Sequence, residues 1–129
     1  MKKAFTLLFI TITLASCSLN NDQIPAQEKT ILGRWHVVGF EETVLYEFTK
    51  DLRYTIYSTD GNFGPLSDAI PNPNSWTYNG NELVIDLNFG NTLKAKLNFK
   101  CDNNVLSLVS QSGITILYRE GYDYKNCNE

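Results

Sequence analysis

The sequence lacks the residues that most catalytic and metal sites require. It has a single histidine, His36, and its histidine, cysteine and aspartate residues never fall at metal-ligand spacing. Nucleophilic catalysis needs a base beside the nucleophile, and a lone histidine on a strand usually faces solvent. Asp60 and Asn62 could hold calcium only together with further acidic ligands. We therefore expect that the protein is not an enzyme, has no catalytic residue and binds no cofactor or metal ion.

Positive charge and long apolar runs are also scarce. The chain carries 11 lysines and arginines against 14 acidic residues, for a net charge of -3, and no basic patch is present. Nucleic-acid-binding domains concentrate basic residues on one face, so we expect no nucleic-acid partner. Beyond the N-terminus no run approaches the ~20 apolar residues of a membrane-spanning helix. We expect the domain not to span a membrane.

Residues 1–16 have the pattern of an export signal. Lys2 and Lys3 precede an apolar run of about 11 residues, which suits a secretory signal and is too short to cross a bilayer. The tetrad Leu14-Ala15-Ser16-Cys17 that ends this run resembles the lipobox of bacterial lipoproteins. The resemblance implies that Cys17 is diacylated and holds the protein to the lipid bilayer of the bacterial cell envelope, at the outer membrane. The alternative is an ordinary signal peptide that is cleaved nearby, in which case Cys17 has no role in processing or anchoring.

The rest of the chain divides into a tether and one domain. Residues 17–30 are polar and aperiodic, which predicts a flexible tether. Residues 31–129, roughly 100 residues, have the length of a single domain, and we expect a monomer. If Cys17 is acylated, Cys101 and Cys127 remain to pair in an oxidising compartment. Their bridge would close a loop of about 26 residues, worth about 3–4 kcal/mol; the alternative is two free thiols.

Eight segments of the domain alternate apolar and polar side chains with the period of a strand. The predicted strands cover residues 31–38, 44–49, 52–59, 75–78, 82–88, 92–100, 105–110 and 114–120. Short strands in sequential hairpins favour an all-β fold, an eight-stranded antiparallel up-and-down barrel, since closure removes exposed edges. We expect a nearly full interior that contains Trp35, Phe48, Ile56, Trp76, Ile85, Leu97 and Leu108.

The first strand carries a family resemblance. Leu32-Gly33-Arg34-Trp35 resembles the Gly-x-Trp opening of lipocalins, and the run Tyr46-Glu47-Phe48-Thr49-Lys50-Asp51 is similar to the second hairpin of short bacterial lipocalin-like lipoproteins. The resemblance implies a barrel signature of Gly33, Trp35 and Arg119, with Trp35 at the closed end near Arg119. The alternatives are plain core packing for Trp35 and a solvent-facing position for Arg119.

Two functions fit such a domain. The first is binding of a small hydrophobic or amphipathic ligand, for which the candidate residues are Tyr46, Tyr54, Phe63 and Trp76, because pockets are mostly apolar with a few polar groups. The second is protein interaction, since small lipoprotein barrels resemble periplasmic inhibitors of lysozyme or proteases. Residues 60–74, the longest loop, would then be the inhibitory segment. A continuous cavity would favour the first function, and a filled core with a projecting ordered loop the second.

Overall fold

The computed structural model describes residues 30–128, which form a closed antiparallel barrel of eight strands. Each strand pairs with the next one in sequence, and the last pairs with the first. The predicted all-β up-and-down barrel is therefore confirmed. The strands are β1 (Gly33–Val37), β2 (Val44–Phe48), β3 (Leu52–Tyr57), β4 (Asn74–Tyr78), β5 (Leu83–Asp86), β6 (Thr92–Lys100), β7 (Val105–Ser110) and β8 (Gly113–Arg119).

The connections alternate between the two ends of the barrel because consecutive strands run in opposite directions. One end holds the β2–β3, β4–β5 and β6–β7 connections, together with residues 30–32, which lead into β1. We call it the closed end. The other holds the β1–β2, β3–β4, β5–β6 and β7–β8 connections, and we call it the open end. The two ends differ in packing and in chemistry.

The interior is the face of the sheet that carries Trp35. Directly opposed cross-strand residues lie on the same face, so the register of the strand pairs assigns each side chain to the inside or the outside. The core cluster consists of Ile31, Trp35, Val37, Phe48, Trp76, Leu83, Ile85, Ala95, Leu106, Leu108 and Leu117. Each large side chain buried in it contributes about 1.5–3 kcal/mol. Leu97, also expected inside, is partly buried and packs against this cluster.

The expectation that Ile56 of β3 faces the interior was wrong. Tyr46 opposes Trp35 and Thr55 opposes Tyr46, so the inward residues of β3 are Arg53, Thr55 and Tyr57. Ile56 is fully buried, but it pairs with Leu45 on the outer face, where Tyr54 also lies. The period of two separates the faces of a strand without naming the inner one, and apolarity was the wrong guide here.

The β3–β4 connection covers that outer face and explains the burial of Ile56 and Leu45. Gly61 donates a backbone hydrogen bond to the Glu42 carbonyl, and Ile70 donates one to the Thr55 carbonyl. Arg34, on the outer face of β1, donates from Nη2 to the Gly64 carbonyl at 2.9 Å. A 3-10 turn, Leu66–Asp68, lies between these anchor points. The predicted long loop is thus ordered and folded back against the barrel wall rather than projecting from it.

The C-terminal tail is tied to the closed end. Cys101, in the β6–β7 turn, is disulfide-bonded to Cys127 with a Cα–Cα distance of 5.7 Å, so the predicted bridge is confirmed. Tyr124 in the tail stacks on Tyr118 of β8, and Tyr118 stacks on His36 of β1. Among residues 30–128, no helix is long and apolar enough to cross a membrane. The expectations for residues 1–16, for Cys17 and for nearly all of the tether fall outside the described residues.

Candidate functional site

The closed end is sealed by Arg119 and Trp35. The Arg119 guanidinium lies 4.2 Å from the Trp35 ring centroid and donates hydrogen bonds to the carbonyls of Leu32, Thr30 and Asn103. The Trp35 indole Nε1 donates to the Ile31 carbonyl at 2.7 Å. Every donor edge of this guanidinium is in use, so the group serves to hold residues 30–32 and the β6–β7 turn over the bottom of the barrel.

Gly33 makes room for that seal. It has a φ of +112°, a left-handed conformation that favours glycine. A Cβ at this position would lie 3.1 Å from Arg119 Nη1. A side chain here would therefore strain the backbone and crowd the Arg119 guanidinium, which would have to shift by a few tenths of an ångström. The structure brings together the three residues that the resemblance grouped as a barrel signature.

The inward-facing residues at the open end form a surface that we call the cup. Several side chains that the register directs inward remain exposed to solvent there, the clearest being Tyr57, whose exposed fraction is 60%. An inward residue can be exposed only where the interior is open to water. The other partly or fully exposed inward residues toward this end are Val44, Tyr46, Thr55, Leu93, Ser110 and Thr115.

Arg53 also faces the interior of the barrel, on β3 between the closed-end β2–β3 connection and Tyr57. Only 9% of its surface is exposed, and it is the one buried charged or polar residue in the described chain. Its guanidinium lies 4.5 Å from the Tyr46 ring centroid and donates from Nη2 to Asn74 Oδ1 at 2.6 Å. Its Nε is buried and has no hydrogen-bond partner. Burial lowers the pKa of this arginine from its usual value, while the nearby Tyr46 and Tyr57 phenols oppose that shift.

The exposed large hydrophobic side chains of residues 30–128 gather at the open end. Each lies in an open-end connection or in the strand residues beside one. They are Phe40, Tyr57, Ile70, Leu87, Phe89, Val109 and Ile114, and Phe89 is completely exposed. We call this set the apolar rim. Apolar side chains concentrated in this way mark a surface that meets another apolar group.

The four candidate ligand residues separate in the structure. Tyr46 faces the interior and contacts Arg53, and Trp76 is buried in the core beneath the cup, donating from Nε1 to the Thr49 carbonyl. Tyr54 is on the outer wall, opposite Glu47. Phe63 lies in the β3–β4 connection and meets the His36 ring edge-on at 5.4 Å, also outside the barrel. Tyr54 and Phe63 therefore do not join Tyr46 and Trp76 in one pocket, because both lie outside the barrel wall.

Two surface depressions lie outside the interior. A groove of about 790 Å³ runs along β6 and the end of β7, with Lys94, Lys96 and Val109 on its outward wall. A smaller depression of about 290 Å³ lies beside Tyr57, lined also by residues 58–60 and Asn62. The second adjoins the rim of the cup. The first is an open feature of the outer wall.

Asp60, the one acidic candidate for calcium, is engaged by its neighbours. Its carboxylate accepts hydrogen bonds from the Asn62 backbone and side chain and from the Ser58 hydroxyl. These bonds, those from Asn62 first, lower the pKa of Asp60. Within the described part of the chain no group of three or more histidine, cysteine or acidic residues could hold a metal ion. The pattern is that of a self-contained loop turn.

The sequence analysis did not predict that Arg53 faces the interior. A signal for it existed, because a tight turn at Lys50 and Asp51 pairs Thr49 with Leu52 and therefore Phe48 with Arg53, as observed. Since Phe48 was expected inside, its partner belonged inside too. Comparison of the chain with protein-family models, with curated proteins and with solved structures finds no match.

Proposed function

We propose that this protein is a lipid-anchored, lipocalin-like binding protein that takes a small amphipathic ligand into the open end of its barrel. One observation carries the proposal: Tyr57 faces the interior and is nevertheless 60% exposed. A large aromatic ring at the mouth of the cup offers an apolar surface that a ligand can contact. Its burial by a ligand would be favourable at about 25 cal/mol per Å² of apolar surface.

The apolar rim supports the same proposal. Because the core fills the closed end of the barrel, the cup has space for only part of a ligand. The remainder would lie against the rim, where Phe89, Leu87 and Phe40 are exposed. A ligand with a polar head and an apolar tail matches a cup whose inward residues include Thr55, Ser110 and Thr115 and whose rim is apolar.

The second function considered, inhibition of lysozyme or a protease through residues 60–74, receives no support from the loop geometry. An inhibitory loop must project from its scaffold to enter another protein. Here the segment is held to the wall through Gly61, Gly64 and Ile70. We therefore keep ligand binding as the proposed function.

Anchoring is a separate part of the proposal and rests on the lipobox. The described chain enters the barrel at the closed end, where residues 30–32 are held by Arg119. An acyl anchor at Cys17 would thus attach on the side away from the cup. Mass spectrometry of the protein from its native membrane should find a diacylated Cys17 at the new N-terminus. Membrane association that persists unchanged in Cys17→Ala would contradict the anchor.

A matched pair of tyrosine variants tests ligand binding at the cup. Tyr57 and Tyr54 lie on the same strand but face the interior and the outer wall, respectively. Titration of the purified protein with decanoate, followed by calorimetry, should show binding that Tyr57→Ala weakens by about threefold to tenfold. Tyr54→Ala should leave the affinity unchanged. Equal effects of the two variants, or no binding of any ten-carbon amphiphile, would contradict the proposed function.

A further inference from the structure

Arg53 is buried in a manner that the fold alone does not explain. A charged side chain is almost never fully buried unless it is paired, because removing a charge from water is costly. Arg53 is about nine-tenths buried, yet its partners are one amide oxygen and the face of one aromatic ring. Neither partner carries a formal charge. An arginine side chain remains protonated even when it is buried, so the interior holds an uncompensated positive charge.

The carboxylates of the described residues do not compensate it. Glu47 and Glu120 pair with Arg34 on the outer wall, at 3.4 Å and 2.8 Å, respectively. The acidic residues of the open end, such as Glu42 and Asp60, are exposed to solvent in the connections. Water and salt screen such groups over about 8–10 Å, so short-range contacts inside the cup decide what binds there.

The free part of the guanidinium has a defined shape. Nη2 is bonded to Asn74, one face of the plane rests on Tyr46, and Nε has no partner. A guanidinium presents its donors in a rigid planar fork that matches the two oxygens of a carboxylate. Tyr57 lies on the same inward face of β3, four residues from Arg53, and its ring is largely exposed to solvent at the open end. An anion could approach past Tyr57 with its tail directed outward to the apolar rim.

We infer that Arg53 is an anion-binding residue and that the ligand is an amphiphile whose head is a carboxylate. This inference rests on the proposed function and adds the charge of the ligand to it. The head bonds the Arg53 guanidinium, and the tail lies against Tyr57 and the rim. The bond is charge-assisted and lies in a site sheltered from water, where such bonds are strongest.

A set of chain-matched probes separates this inference from the proposed function. Decanoate, decanol and decylamine share a ten-carbon tail and differ in the charge of the head. The purified wild-type protein should bind decanoate at least about tenfold more tightly than decanol, and decylamine most weakly. If all three bind equally, ligand binding stands and the role of Arg53 is overturned. If none binds, both proposals fail.

Variants then locate the effect. Arg53→Met should reduce decanoate affinity to that of decanol and leave decanol affinity unchanged. Arg53→Lys keeps the charge without the planar fork and should give an intermediate affinity. Lys94→Met removes an exposed cation from the outer groove and should change neither affinity. Unchanged decanoate binding by a folded Arg53→Met protein would overturn the inference, as would an equal loss in Lys94→Met.

Discussion

Two arginines inside the barrel each lie against an aromatic ring, and they are used differently. Arg119 lies 4.2 Å from the Trp35 ring and Arg53 lies 4.5 Å from the Tyr46 ring. Arg119 also donates to three main-chain carbonyls. Arg53 has one amide partner and a buried Nε without any. The same residue type in nearly the same ring contact thus completes the closed end in one case and leaves a buried donor unused in the other.

The difference teaches how stability and binding are separated in a small barrel. The satisfied arginine lies where the chain must be closed over the core, beside the disulfide and the entering segment. The unsatisfied one lies inside the barrel on β3, with its side chain almost wholly buried. Groups that bind ligands are often left under-compensated in the free protein, at a cost in stability. The predictions below test this division in order of decreasing effect.

Replacing the ring at the closed end should have the largest effect on stability. Trp35 is fully buried, and Trp35→Ala would leave a cavity, remove the platform of Arg119 and break the bond to the Ile31 carbonyl. We expect a loss of about 3–5 kcal/mol in the free energy of unfolding by urea. Tyr57→Ala at the open end should cost less than about 1 kcal/mol, since that ring is largely exposed. Comparable losses would abolish the distinction between the ends.

Opening the disulfide should have the next largest effect. The bond between Cys101 and Cys127 closes a 26-residue separation, so the double variant Cys101→Ser/Cys127→Ser should lose about 3 kcal/mol. The bridge lies at the closed end, and decanoate affinity should therefore persist. Loss of binding in a variant that retains the barrel, as judged by circular dichroism, would show that the two ends are coupled.

The two arginines provide the most direct contrast in stability. Arg119→Met strands three main-chain carbonyls and should cost about 2–3 kcal/mol. Arg53→Met removes a buried charge that has no counter-ion, and its stability should change by less than about 1 kcal/mol in either direction. Chemical unfolding of both variants measures the difference. A larger loss for Arg53→Met would assign that residue a structural role.

The smallest expected effect is on stability at alkaline pH, through Tyr118 on the outer wall. Burial, and then the nearby Glu41 and Asp123 carboxylates, raise the pKa of Tyr118 above its usual value. The folded state therefore holds this proton more tightly than the unfolded state, where the pKa is about 10. The contribution is fully present below about pH 10 and is lost as pH rises through the folded pKa. Tyr118→Phe should flatten the fall in melting temperature between pH 9 and 11, and an unchanged slope would contradict this.

The fold was predictable because its signals are local. Clean alternation in residues 92–100 and turn residues between the strands determined strand bounds that agree with the structure to within two residues at either end. Both cysteines of the bridge were identified by exclusion of Cys17. These features depend on neighbouring residues and on the period of a strand.

The site was less predictable because it depends on which face of β3 is inside. Ile56 and Tyr54 are more apolar than Arg53 and Thr55, and a strand covered on one side only would have turned them inward. The β3–β4 connection instead gives β3 a second buried face, with Ile56 and Leu45 beneath it. Packing by a segment distant in sequence has no local signature. The register of the β2–β3 turn was the available signal, and it places Arg53 beside Phe48.

A nitrogen-15 NMR titration of the purified protein with decanoate tests the central claim most directly. It follows both ends of the barrel in one sample and includes the Nε–H resonance of Arg53. We predict shifts at Arg53, Thr55, Tyr57 and Thr115, with Asn103 and Asn104 at the closed end unchanged. Decanol should shift the rim without moving the Arg53 Nε–H signal. Shifts centred on Lys94 and Lys96 or on the closed end, with Arg53 unmoved, would contradict the account.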